Sequence, residues 1–320
     1  MVMQFAIQMN LVTKKSLLRN DGMNIFGCKN VTFDFHLHVM PGSPDSKQSV
    51  EAAIETAKQA GLETIAITDH NSINSLDEAI ELGKKMGVQI VPGCELSSTI
   101  FGLGDDLERC NIHVLALGIK NDKTLFDFVL KESHDERKRW ERQLKELCES
   151  TFGIKMNGNN YYELKDELYE RGLFPDKKAA KKWLRMERPD IPEASYVPIS
   201  NIVDIIHQLG GIAIWAHPNR GENHKVLTID NIQKVCSFLI SKGLDGVELF
   251  HPDVISEPPV FELLKDIAIK NNLLVSLGSD RHNAFGAYGE HYFTAHEFLD
   301  NSNFDFAKAK NSILEHIKTY

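Results

Sequence analysis

Val31-Thr32-Phe33-Asp34-Phe35-His36-Leu37-His38 is an apolar run that carries two histidines at alternate positions, and a helical pattern from Ser49 to Ala60 follows it. The run reads as a strand and the 3.6-residue period behind it as an amphipathic helix. Strand then helix is therefore the unit to look for in the rest of the chain. It returns as Glu63 to Thr68 with Ser75 to Met86, as Val88 to Pro92, and as Ile112 to Ile119 before a long charged helix from about Leu125 to Glu149. Further strands are expected at Gly211 to Trp215, Asp245 to Phe250 and Leu273 to Leu277. The matching helices are Ser200 to Leu209, Asp230 to Ser241, Pro259 to Lys270 and Phe304 to Ile317. Seven strands separated mostly by helices predict a largely parallel α/β sheet covered by helices.

Residues 1–30 keep no clear period and are read as an N-terminal extension without an assigned function. Residues 31–121 and 200–320 form the two parts of the α/β body, the second ending in the C-terminal helix. Between them, 122–199 reads as a helical insertion. No strand pattern appears from Asp122 to Pro198, Glu132 to Arg142 and Asp176 to Arg188 are strongly charged, and Pro189, Pro192 and Pro198 mark a return linker. Such charge runs are solvated helix faces in the simplest reading and a substrate lid in the sharper one.

The chain has 320 residues, 42% hydrophobic and 25% charged, enough for a sizeable core. A formal net charge of -9 argues against a general electrostatic trap for duplex nucleic acid and leaves a small partner with a local basic pocket. Five cysteines, Cys28, Cys94, Cys110, Cys148 and Cys236, stand far apart with no C-x-x-C pair. That pattern excludes a disulfide framework and a zinc ribbon and fits a reducing cytosol. Met1 to Leu18 lacks the architecture of an export signal, and no apolar stretch approaches the roughly 20 residues that span a bilayer. A cytoplasmic protein with no membrane partner is expected; the oligomeric state stays open.

Six of the thirteen histidines fall at or just beyond strand ends, in company with acidic residues. In chain order the segments are Phe35-His36-Leu37-His38, Thr68-Asp69-His70-Asn71, Gly93-Cys94-Glu95-Leu96, Ile112-His113-Val114, Ala216-His217-Pro218 and Gly278-Ser279-Asp280-Arg281-His282. Residues two apart in a strand share a face, so His36 with His38, and Asp280 with His282, can each reach one ion. Imidazole and carboxylate suit zinc, manganese or iron. Taken singly, each element has a bland reading: an incidental H-x-H, a core His113, an Asp69 that caps a turn. Jointly the bland reading weakens, because polar groups facing a barrel interior are costly unless paired. In parallel α/β barrels the strand ends converge on one mouth, which would make neighbours of ligands scattered along the chain.

These segments resemble the PHP family, the polymerase and histidinol phosphatase domain. Phe33 to His38, Ile67 to Asn71, Pro92 to Glu95, Trp215 to Pro218 and Gly278 to His282 are similar to its successive motifs. The insertion, together with Gly210-Gly211 and Gly246 to Pro252, looks most like a bacterial stand-alone branch that hydrolyses nucleoside 3′,5′-bisphosphates and trims short RNA from its 5′ end. The resemblance implies a distorted (β/α)7 barrel and two or three divalent metal ions. His36, His38, Glu95 and Asp280 would take the first, a bridging Glu95 with His113 and His217 the second, and Asp45, His70 and His282 the third.

The activity expected is metal-dependent hydrolysis of a phosphate ester by a metal-bridging hydroxide. Nucleotides, bisphosphonucleotides and short oligonucleotides are the candidate substrates. Arg220 is a candidate phosphate clamp, or a brace for a ligand carboxylate, and Arg281 a second substrate-binding candidate. His251 is placed to protonate the leaving group if it faces the mouth. Asp69, beside a metal histidine, is cast as an orienting or proton-accepting carboxylate, with Glu248 similar. Two rivals remain: an amidohydrolase acting on a non-phosphate substrate, and a non-catalytic, metal-stabilised binding module.

Overall fold

The computed structural model describes residues 31–104, 107–221, 226–283 and 304–319. The expected extension over 1–30 lies outside them. The chain divides into two compact units, one formed by residues 122–201 and the other by the remainder.

In the larger unit seven strands lie side by side in sequence order: β1 (Phe33–Leu37), β2 (Thr64–Ile67), β3 (Gln89–Phe101), β4 (Arg109–Leu117), β5 (Ile212–Trp215), β6 (Gly246–Phe250) and β7 (Leu274–Leu277). The pairs β1–β2, β2–β3, β5–β6 and β6–β7 are parallel. Beyond β7 the chain turns back onto β1, where His38 N–H donates to Arg281 O at 2.8 Å and Asp280 N–H to His36 O at 2.8 Å. The result is a distorted (β/α)7 barrel, with the seam stitched by the segment that follows β7.

One expectation is corrected. β3 does not stop at Pro92 but runs on to Phe101 and pairs antiparallel with β4, which is antiparallel to β5 as well. The physical reason is local. No helix separates β3 from β4, and a connection of only seven residues, 102–108, joins them. A parallel crossover needs a dozen residues or more, so a hairpin is the available geometry.

Helices follow in chain order as α1 (Val50–Gln59), α2 (Leu76–Met86), α3 (Lys123–Phe152), α4 (Tyr161–Glu170), α5 (Lys177–Glu187), α6 (Ile199–Gln208), α7 (Ile229–Ser241), the short α8 (Pro252–Ile255), α9 (Pro258–Asn271) and α10 (Phe306–Thr319). Several of their starts are capped by side chains. Ser49 accepts from Ala52 N–H to open α1, and Thr228 accepts from Asn231 N–H to open α7. The face of α1 that turns inward is Val50, Ala53, Ile54 and Ala57, all buried.

The smaller unit has its own core, in which Trp140, Leu144, Cys148, Met156, Leu164 and Leu184 are buried together. Trp140 Nε1 donates to Pro189 O at 2.9 Å, which ties the Pro-rich return segment to α3. Burying each such aliphatic side chain contributes about 1.5–3 kcal/mol. No helix among the described residues is long and apolar enough to cross a membrane.

Candidate metal centre

β1 is buried along its whole length, and its alternate residues divide between the two faces of the sheet. Asp34, His36 and His38 share one side. Asp34 Oδ1 accepts from the N–H groups of His36 and Ser279 at 3.1 and 3.0 Å, fixing the strand against the segment after β7. His36 Nδ1 lies 2.9 Å from Glu248 Oε1, and a carboxylate that stays ionised can only accept. His38 Nδ1 lies 3.0 Å from Ser43 Oγ. The single hydroxyl hydrogen of Ser43 goes to Asp69 Oδ1 at 2.9 Å, so Ser43 accepts from His38.

Both rings therefore carry a hydrogen on Nδ1 and turn Nε2 inward. The two Nε2 atoms face each other at 3.1 Å. Lone pairs at that distance repel unless a cation, a proton or a metal ion, lies with them.

The other donors close around this pair. From His36 Nε2, Glu95 Oε1 stands 3.5 Å away and Asp280 Oδ1 3.6 Å; from His38 Nε2, Glu95 Oε2 is at 3.4 Å and Asp280 Oδ1 at 3.3 Å. Ligands at about 2.1 Å from one ion stand about 3.0 Å apart at a right angle and about 3.4 Å apart at the tetrahedral angle, so the spacing is that of a coordination shell. Glu95 Oε1 also meets His113 Nδ1 at 2.7 Å and His217 Nε2 at 3.0 Å, and Glu95 Oε2 meets His70 Nδ1 at 2.7 Å. Asp45 Oδ2 lies 3.3 Å from His70 Nε2 and 3.5 Å from His282 Nε2. The His38 ring packs against those of both His70 and His282, with centroids 4.3 and 4.2 Å away. The donor atoms form overlapping groups able to hold an ion: His36, His38 and Asp280; His70, Glu95 and His113; His38, His70 and His282.

Three residues of this cluster or beside it adopt left-handed backbone without being glycine: His217 (φ 30), Asp280 (φ 52) and Asn71 (φ 49). Each such conformation costs on the order of 1–3 kcal/mol and persists only where the surroundings enforce it. The enforcement is visible. His217 N–H donates to Glu248 Oε2 at 2.8 Å, Asp280 N–H to His36 O, and Asn71 N–H to Glu95 O at 2.8 Å.

Burial alone would raise the pKa of Glu95, but His113, His70 and His36 override it and hold the carboxylate well below its usual range. Asp280 is held down in the same way, against its burial, by His36, His251 and His38. Burial lowers His38 to about 3 and His217 to about 4. It also opposes charge on His70, yet Glu95 and Asp45 push that ring up to about 10. His36 is raised well above its ordinary value, despite burial, by Glu248, Glu95 and Asp280. In the absence of a metal, protons on His36 and His70 answer the carboxylates, and a divalent ion would have to displace them.

All nine residues that the resemblance implies as ligands are thus in one place, Asp45 included. Glu95 and His113 reach it from within β3 and β4 rather than from strand ends, because the hairpin carries the mouth along both strands. The other candidates are engaged by protein neighbours. Asp69 is buried, with Oδ1 accepting from Val39 N–H and Ser43 Oγ and Oδ2 from Ser75 Oγ, so it braces a loop and, through Ser43, orients the His38 ring. Gly42 lets that loop approach, since a Cβ there would stand 1.9 Å from Asp69 Oδ2.

Arg220 reaches the mouth but spends itself on carboxylates, with NH1 on Asp280 Oδ2 at 2.7 Å and Nε on Asp253; it braces a candidate ligand. Arg281 is 7% exposed and donates from Nε to Asn283 O, which leaves little of it for a substrate to touch. His251 is 1% exposed and accepts from Asp253 N–H through Nδ1, capping α8. Its proton is therefore on Nε2, which faces Asp280 Oδ2 at 3.8 Å. Sequence reasoning missed Ser43 and Asp34. The alternation Asp34, His36, His38 was a signal for the second; for Ser43, in an irregular loop, there was none.

The sequence matches the PHP domain family over residues 34–187. A phosphoribosyl 1,2-cyclic phosphate 1,2-diphosphodiesterase of Eggerthella lenta is 28% identical over 267 residues, covering 78% of this chain and 94% of the relative. A 5′-3′ exoribonuclease of Haemophilus influenzae is 24% identical, covering 79% and 91%. Among solved structures, an amidohydrolase from Chromobacterium violaceum with bound sulfate superposes with a TM-score of 0.63 at 20% identity, covering 84% of this chain and 97% of that one. A protein described as a metal-dependent phosphoesterase from Bifidobacterium adolescentis gives 0.55 at 20% identity, with 83% and 96% covered. At that identity the two structures speak for the fold alone.

Proposed function

We propose that this chain, which matches the PHP domain family over residues 34–187, is a metal-dependent hydrolase of phosphate esters. Its ions are held by His36, His38, Glu95 and Asp280, by Glu95 with His113 and His217, and by Asp45, His70 and His282. The observation that carries this reading is the pair of inward-facing Nε2 atoms 3.1 Å apart, enclosed by two ionised carboxylates. Two or three divalent ions of manganese, zinc or iron suit such a mixed donor set. When bound, they lower the pKa of water from about 15.7 toward about 7 and neutralise charge on a phosphoryl group.

The residues of the chain supply the rest. Asp69 and Ser43 fix the His38 ring, and Arg220 fixes Asp280. His251, itself buried, holds Nε2 beside Asp280. The net charge of -9 favours a small or short substrate over duplex nucleic acid. A cyclic phosphodiester and the 5′ end of a short single-stranded RNA are the substrates we propose, after the activities for which the two relatives are named. The described cysteines are all free and buried, which supports a reducing, cytoplasmic setting.

The test is a panel assay of manganese-loaded protein against a phosphomonoester, a ribose cyclic phosphate, a nucleoside bisphosphate, a 5′-phosphorylated RNA tetramer and N-acyl amino acids. Turnover confined to the acyl compounds would defeat the proposal. With His36→Ala and His38→Ala combined, phosphate release should vanish, with folding retained at ambient temperature by circular dichroism.

A further inference from the structure

We infer that Glu248 is a positioning residue that aims two neighbouring ligands at once and so couples the filling of two metal ions. The inference rests on the metal reading proposed above. Glu248 stands on β6, a strand that contributes none of the nine candidate ligands, and it is fully buried. Its two oxygens have separate tasks. Oε1 takes the Nδ1–H of His36 at 2.9 Å, which directs His36 Nε2 into the cluster. Oε2 takes the backbone N–H of His217 at 2.8 Å, at a residue held in left-handed conformation.

The fold makes room for this arrangement. A Cβ at position 278 would lie 2.1 Å from Glu248 Oε1 and 2.3 Å from His36 Cβ, so Gly278 is what allows the carboxylate and the ring to meet. His36 belongs to the group with His38 and Asp280, and His217 to the donors around Glu95 Oε1. One carboxylate therefore orients a ligand in each group. Asp45, His70 and His282 have no contact with it among the hydrogen bonds and ion pairs described. Carboxylates that hold the outer nitrogen of a ligating histidine typically set metal affinity by about 10–100-fold.

Glu248→Gln is the discriminating change. An amide has one accepting oxygen and one donating nitrogen, so in either orientation its NH2 meets one of the two N–H donors. Manganese binding to the full chain, measured by equilibrium dialysis with the bound metal counted, should show two ions weakened together by about 10–100-fold in the variant. The remaining ion should keep its affinity. Wild-type affinity at every ion in the variant would overturn the inference alone, whereas failure of the wild type to bind manganese would overturn the metal reading and this inference with it.

A second measurement needs no variant. Long-range 1H–15N correlation on the zinc-loaded wild type should find the His36 ring protonated at Nδ1 and metal-bound at Nε2. The opposite assignment would refute the role of Glu248 even if the variant does not fold.

Discussion

At the scale of single side chains, the orientation of His38 depends on a hydroxyl whose three bonding positions are all used. Ser43 Oγ donates to Asp69 and accepts from His38 Nδ1–H and from His70 N–H at 3.0 Å. Ser43→Ala leaves two donors, His38 Nδ1–H and His70 N–H, short of a partner, at about 1–3 kcal/mol each. The variant should lose stability in urea denaturation and bind manganese more weakly; unchanged values in both would show that the ring is held by stacking alone. Protons give a second expectation at this scale. His70 is pushed up to about 10, so near neutral pH the metal-free protein holds a proton there that an ion must displace. Manganese affinity should accordingly rise as pH is raised from 6.5 toward 10, with proton release measurable by calorimetry in buffers of different ionisation enthalpy. Stability of the metal-free protein has the opposite sign: the folded pKa exceeds the unfolded value of about 6.5, so the contribution of His70 is complete below that and is lost as pH climbs through 10. An affinity that does not vary with pH over this window would contradict the charge state assigned to His70.

At the scale of elements, Leu164 on α4 is fully buried beside Trp140, Leu144 and Leu184, in a core made only of residues from the smaller unit. Leu164→Ala should destabilise that unit by about 2–5 kcal/mol. Limited proteolysis should then cut within 122–201 before it cuts the barrel, and simultaneous cutting of both would show that the two unfold as one. The long α3 and its apolar partners were legible from period and charge, and so were the parallel strands, where a run such as Ile65 to Ile67 leads from one helix to the next. The β3–β4 hairpin was not. Ser97, Ser98 and Thr99 look like the polar start of a loop, yet they pair across to His113, Ile112 and Asn111. Partner strands 12 or more residues away decide such pairings, and local propensity does not carry that information. The same limit applied to the site. Histidines spaced on strands announced themselves, whereas the tasks of Arg220 and Asp69 were set by Asp253, Asp280, Ser43 and Ser75, neighbours that only the folded chain supplies.

For the whole molecule, the candidate ligands come from β1, β3 and β4 and from the segments that follow β1, β2, β5 and β7, so bound ions would staple the barrel across its seam as well as within it. The unit formed by 122–201 supplies none of the nine. Anything that binds the folded state alone stabilises it by mass action, about 2.7 kcal/mol when the free ligand is at 100 times its dissociation constant. For a domain of this size each kcal/mol moves the melting temperature by about 2–4 °C. Stripping the protein with a chelator and scanning it by calorimetry should therefore lower the transition of the barrel by several degrees while the transition of the smaller unit, if separate, stays in place. Restoring manganese should reverse the shift, and adding magnesium, a cation that prefers all-oxygen shells, should reverse it less. The three carboxylates Asp45, Glu95 and Asp280 sharpen the expectation, because without metal ions they face one another across a largely buried cluster, offset by protons on His36 and His70 and, at Asp280, by the Arg220 guanidinium. Thermograms that coincide before and after chelation would mean that the imidazole and carboxylate cluster is held together by its own protons and hydrogen bonds, and that no ion belongs to the folded state.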